Sequence, residues 1–167
     1  MTTRDQLIFH LQEEYSFLRD FLPLLDTLHH EVGHASLAAR LQVEREGIRA
    51  DLETLERALS VLGARYKMER STVAPGFKEA MARFKAQLNP PREQLDVYAL
   101  LDAVKVAQLA IGAYQGLREL ARAIGEMDVV TLITENLQRE QETVTALLTL
   151  APDLLRGIGG SEARWAA

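Results

Sequence analysis

His30, Glu31 and His34 form the pattern His-Glu-x-x-His, and His29 stands directly before them. On an unbroken helix the two outer histidines fall one turn apart on one face. There both could ligate zinc while Glu31 acts as general base toward a zinc-bound water. A zinc hydrolase of this kind also needs a third ligand further along the chain. Glu53 and Glu56, 19 and 22 residues after His34, stand at a suitable separation. Yet nothing before His30 alternates as a strand does, and both glutamates lie inside a leucine-rich helical seam. Gly33 and Ser36 read instead as the stop of one helix and the N-cap of the next, which would separate His30 from His34. Histidines at a helix end, favoured beside the last carbonyls, are the expectation, and the hydrolase is a remote alternative.

Carboxylates on otherwise apolar seams are the second chemical signal. Glu44 and Glu140 interrupt rows of Leu, Ile and Val, and Glu14 lies beside such a row. A buried carboxylate is costly unless it is paired, hydrogen-bonded or metal-bound. Glu44, Glu140 and Glu14 are therefore the candidate metal positions, with Tyr15 as a neighbour and Asp51 and Gln108 at the margin. Arg45, Arg118 or Arg139 could pair with the glutamates instead, and Tyr15 reads first as a core tyrosine with a satisfied hydroxyl. No Gly-rich phosphate loop, nucleophile elbow or Cys/His pair occurs, so no catalytic residue is assigned.

The elements that would hold these residues are long helices. From Arg4 to about Val32, Ile8, Leu11, Tyr15, Leu18, Leu22, Leu25, His29 and Val32 recur at three-four spacing, with Pro23 expected to kink or break the run. From Ser36 to Leu62, Leu37, Leu41, Glu44, Ile48, Leu52, Leu55, Leu59 and Leu62 form a second seam that stops at Gly63. Gly76 to Leu88 carries Phe77, Met81, Phe84 and Leu88 as a short crossing helix, ended by Asn89-Pro90-Pro91. A third long helix runs to Ile124 through Val97, Leu100, Val104, Ala107, Ile111, Tyr114, Leu117 and Ala121. A fourth carries Val130, Ile133, Leu137, Glu140, Val144 and Leu147 until Pro152 disrupts its final turns.

Two short turns and one long connection make this an all-α four-helix bundle of the ferritin-like kind. A short extra helix lies in the crossover, and the second and third long helices run parallel. The domain is expected over residues 1–156, with 157–167 as a flexible tail containing Trp165.

Composition narrows the class. With 47% hydrophobic and 26% charged residues the chain is of globular type, and 167 residues suffice for one real core. The absence of cysteine excludes disulfides and thiolate metal sites. A net charge of -5, with bases and acids alternating along the helices, offers no basic stripe for nucleic acid. No signal peptide is legible at the start, and no run is expected to span a membrane, so a cytoplasmic location is expected.

Three segments carry a family resemblance. They are Leu55-Glu56-Arg57-Ala58-Leu59-Ser60-Val61-Leu62-Gly63, the stretch Ala113-Tyr114-Gln115-Gly116-Leu117-Arg118-Glu119-Leu120-Ala121-Arg122-Ala123-Ile124-Gly125, and Leu132 to Leu147. They resemble the bacterial ferritin-like stress proteins of the YciF type, over roughly residues 5 to 150. The resemblance implies a four-helix bundle, usually dimeric and linked to stress responses, with a carboxylate and histidine or glutamine metal centre between the helices. The ligand positions depart from that pattern. Two glutamates expected seven and four residues before Tyr114 are Ala107 and Ala110. The first-helix glutamate aligns with Tyr15, beside Glu14. The second-helix histidine falls on Glu44, and the Glu-Thr that follows it on Gly47-Ile48. The last-helix Glu-Glu pair becomes Arg139-Glu140, and the ligand three residues later Thr143.

The resulting expectation is a stress-associated homodimer without the ordinary di-metal centre, acting as a structural or interaction protein rather than an enzyme, with no cofactor, nucleic acid or membrane partner. The alternative is an iron or manganese protein with an altered site at Glu44, Glu140 and Glu14.

Overall fold

A computed structural model describes residues 2–67 and 69–162, with backbone alone for 159–162. Its elements are α1 (Thr3–Glu31), α2 (Ala35–Val61), α3 (Ala74–Leu88), α4 (Arg92–Ala123) and α5 (Met127–Glu162), and there is no strand among the described residues. α1 begins in a capping box, with the Thr2 hydroxyl accepting from Asp5 N at 3.1 Å and Asp5 Oδ2 accepting from Thr2 N at 2.8 Å. Gly125, at φ +80°, turns α4 back into α5 in a left-handed conformation that glycine adopts without strain.

Cross-helix contacts fix the topology. Arg4 near the start of α1 reaches Glu126 after α4, and Arg92 at the start of α4 donates to Val32 O at 3.1 Å beyond the end of α1. α1 and α4 are thus antiparallel, as are α1 and α2, so α2 and α4 run parallel with α3 crossing between them. On α5, Asn136 meets α2 at Asp51 while Thr143 meets it at Arg40. The long helices therefore surround one core in the cyclic order α1, α2, α5, α4. Leu7, Leu11, Leu18, Phe21, Leu25, Leu41, Ile48, Leu55, Tyr114, Ile133 and Leu147 fill it. α3 covers α1 through Phe77, packed on Phe17 and Phe21, and touches α4 through the stacked pair Phe84–Tyr98.

Several local expectations are corrected. α1 passes through Pro23 as one helix, with the Thr27 hydroxyl donating to Pro23 O at 3.1 Å, and α5 likewise passes Pro152 and continues to Glu162. In each, the flanking turns are held by packing that outweighs one missing backbone donor. Trp165 lies outside the described residues. α2 is capped by His34, whose Nδ1 accepts from Leu37 N at 3.4 Å, and not by Ser36. Among the described residues α4 alone is long and apolar enough to cross a membrane, with a mean hydropathy of 1.3 over its most apolar window. Half of that window is buried, and the helix packs against α1 and α5 as a bundle core element.

Candidate functional site

The histidine motif is split by the chain's first turn. α1 ends at Glu31, Val32 is its C-cap, and His34 sits beyond Gly33 as the N-cap of α2. His29 donates from Nδ1 to Ala38 O at 2.9 Å, and Glu31 forms an ion pair with Lys85 of α3. Gly33 N donates to Asp96 Oδ1 at 2.6 Å, and a Cβ on Gly33 would meet Arg92 Nε at 2.7 Å. A side chain here would push the exposed Arg92 side chain aside. His30 and His34 lie on different elements, which removes the shared face that a zinc hydrolase would need.

The three candidate glutamates are buried in the core. Glu14 on α1, Glu44 on α2 and Glu140 on α5 are 8%, 3% and 2% exposed. Each has one buried oxygen without a hydrogen-bond partner: Glu14 Oε1, Glu44 Oε2 and Glu140 Oε2. Burial, reinforced by the charge of Glu140, pushes the Glu14 carboxyl up to about 8. Glu44 is raised by burial and then by Glu140, with the Thr143 hydroxyl and Arg40 pulling it part of the way back. Glu140 is raised by burial against the opposing pull of Arg139 and Arg40. The charge of Glu140 thus bears on both Glu14 and Glu44.

α4 supplies no carboxylate to this cluster. Ala107, Ala110 and Tyr114 of this helix are fully buried. The Tyr114 phenol is held well above its ordinary value by burial and by the charges of Glu14 and Glu140. Its hydroxyl donates to Asp51 Oδ2 at 3.0 Å. Asp51 is wholly buried, forms an ion pair with Arg139, and lends its backbone carbonyl to Asn136 Nδ2 at 3.1 Å. Arg139 also donates to Asn136 Oδ1 at 3.1 Å. Arg40 lies 3.9 Å from Glu44 Oε2 and donates to Thr143 Oγ1 at 2.8 Å.

The partners expected from sequence are thus exchanged. Arg139 takes Asp51, while Arg45 pairs with Asp26 and Arg118 with Glu119. Tyr15 is buried, stacks on Tyr66 with centroids 4.6 Å apart and donates to Glu56 Oε1 at 2.7 Å. It is a satisfied core tyrosine, and its neighbour Glu14 is the residue of α1 that interacts with the cluster. Gln108 is exposed. Sequence reasoning missed Asn136 and gave Asp51 only a marginal place, although Asp51 follows Glu44 by seven residues on the same seam.

A di-metal centre in such a bundle draws roughly four carboxylates and two histidines from the helices. Three carboxyls with two guanidinium groups beside them and alanine on α4 do not supply that set. Among the described residues no three His, Cys, Asp or Glu side chains are gathered so as to hold a metal ion.

Residues 2–157 match the family model described as a domain of unknown function, DUF892. The chain belongs to this family. Its fold is shared with the stress protein YciF of E. coli, at 21% identity and a TM-score of 0.82, over 93% of this chain and 98% of that one. YcfI from Rhodopseudomonas palustris is similar at 21% identity and TM-score 0.83, over 89% and 94%. Dps from Thermosynechococcus elongatus, at 14% identity and TM-score 0.67 over 90% and 92%, places this DUF892 domain among ferritin-like bundles. No curated protein matches the chain.

Proposed function

We propose that this chain is a stress-associated, cytoplasmic ferritin-like bundle that works as a structural or interaction protein, as a homodimer, without the ordinary di-metal centre. The observation carrying this reading is the core chemistry itself. Where a di-metal site needs anionic ligands from all four helices, α4 offers Ala107 and Ala110, and Arg40 and Arg139 bring fixed positive charge to the remaining carboxyls. A guanidinium at such a position opposes the entry of a metal cation by charge repulsion. Exposed Phe9, Leu101, Leu109, Leu148 and Leu155 provide apolar surface for a second copy or another protein. The link to stress rests on the shared family and on the name of the E. coli protein.

Elemental analysis of untagged protein tests this reading. Iron and manganese are expected far below one equivalent per chain, and near-stoichiometric metal would overturn it. The unpartnered oxygens of Glu14, Glu44 and Glu140 favour one second reading, a single iron or manganese ion held by an altered carboxylate site. In that case Glu44→Ala would abolish metal uptake, and unchanged stoichiometry in this variant would dismiss the altered site.

A further inference from the structure

A cavity of about 730 Å³ opens between α1, α4 and the segment that leads into α3, and neither Glu44 nor Glu140 lines it. Its size lies within the ordinary range for small-molecule sites. Phe9, Phe17, Leu109, Leu117 and Leu120 give it a largely apolar wall. On the α4 side the wall is thinned at Gly112 and Gly116, one turn apart, where an added Cβ would meet nothing within 4 Å. Two glycines in a helix interior cost the helix roughly 1 kcal/mol each relative to alanine. No neighbouring helix approaches closely enough to require them, so what they contribute is room.

The segment opposite α4 is tied to α1 and to itself. Gln12 donates to Arg65 O at 2.6 Å, and Asp20 Oδ2 accepts from Ser71 N at 2.7 Å. The Ser71 hydroxyl oxygen accepts from Val73 N and Ala74 N at 3.1 Å, which leaves its proton to donate. The cavity is therefore preformed.

The charges on its rim are unevenly matched. Each exposed acid has a base beside it: Glu13 lies 3.3 Å from His10, and Glu69 lies 4.0 Å from Lys67. Glu14 also lines the cavity, but burial raises its carboxyl to about 8, so at neutral pH it is largely protonated and places little negative charge there. Arg70 is different. It is exposed on the same rim, and among the described residues no ion pair or hydrogen bond engages it. Its guanidinium stays charged at any ordinary pH. Ser71 and Thr72 follow it on the lining, directly before α3, so the positive end of that helix dipole lies on the same side.

We propose that the cavity binds a single-chain carboxylate, with its head group on the Arg70 guanidinium and the Ser71 and Thr72 hydroxyls and its hydrocarbon along Gly112, Gly116, Leu109 and Leu120. A carboxylate matches the planar fork of arginine through two parallel hydrogen bonds. An amine would bring its charge to the same rim against Arg70. An alcohol would fill the volume and leave Arg70 unanswered. The inference goes beyond the structural reading of the bundle and does not require it.

Titration of the full, isotope-labelled chain with octanoate, octanol and octylamine at neutral pH, followed by NMR, reads both affinity and place. Octanoate is expected to move the Gly112 and Gly116 amide signals saturably. It should bind at least about threefold more tightly than octanol, a gain of the size an exposed ion pair supplies, with octylamine weakest. Arg70→Gln should erase that preference while octanol binding persists, and Arg70→Lys should restore part of it. Gly116→Leu, in a variant that still melts cooperatively, should weaken octanoate and octanol alike. Octylamine binding as tightly as octanoate, an unchanged preference in Arg70→Gln, parent-like binding in Gly116→Leu, or glycine signals that do not move would overturn the proposal. So would a protein that ignores octanoate and passes from dimer to monomer in Gly116→Leu, because a second copy would then be the occupant of the cavity.

Discussion

Glu14 shows how one buried carboxyl writes itself into the stability of the whole chain. Its ordinary value is 4.5, and burial with the Glu140 charge lifts it to about 8 in the fold. Between those values the folded chain holds a proton that the unfolded chain has released. Stability from this group is therefore fully present below about pH 4.5 and is lost as pH rises through about 8, by at most about 1.4 kcal/mol per pH unit. Glu44 and Glu140 are shifted in the same direction and add to the slope. Urea unfolding at pH 5, 6, 7 and 8 should show the midpoint falling steadily. In Glu14→Gln the fall should be shallower, with the variant more stable than the parent at pH 8. Parallel pH profiles for the two proteins would contradict this account of Glu14.

At the scale of elements, the α2–α5 seam depends on one ion pair with unequal exposure. Asp51 is wholly buried, while the Arg139 side chain is 32% exposed. Removing Arg139 leaves a buried carboxylate with only the Tyr114 hydroxyl. For a fully buried pair that costs about 3–5 kcal/mol, and access of water to the Arg139 side reduces it to about 2–3 kcal/mol. Arg139→Ala should lower stability by that amount, and adding Asp51→Asn should recover part of the loss. A variant within about 0.5 kcal/mol of the parent would show that Asp51 finds other compensation. The seams containing Glu44 and Glu140 were legible because helical spacing marks which positions face inward, and the resemblance flagged Ala107 and Ala110. The same spacing cannot say which of several arginines meets which acid, because long side chains reach more than one turn. Nor could it separate Glu14 from Tyr15: both are buried, and only the packing of Tyr15 on Tyr66 and its bond to Glu56 send the phenol away from the cluster. Proline posed the converse difficulty, since sequence marks the lost hydrogen bond at Pro23 and Pro152 but not the neighbouring helices that hold the turns around them.

The bundle as a whole is unevenly held together. α4 and α5 pack along most of their lengths, joined by the short turn at Gly125, and α5 is closed against α2 by the Asp51 network. α3 has no comparable burial. Among its described side chains only Ala74 and Met81 are buried, and its attachments are the aromatic contacts of Phe77 and Phe84 and the ion pair of Lys85 with Glu31. Leu88 near its end is 62% exposed. Little buried apolar area means a low free energy of local opening, so the crossover can detach while the four long helices remain folded. Hydrogen exchange followed by mass spectrometry should show peptides from residues 74–88 exchanging at least about tenfold faster than those from residues 99–121. Phe77→Ala should speed exchange in α3 further and leave the α4 and α5 peptides unchanged. If α3 and α4 instead exchange at one common rate, and Phe77→Ala accelerates both, the crossover is part of the bundle's single cooperative unit and not an appendage to it.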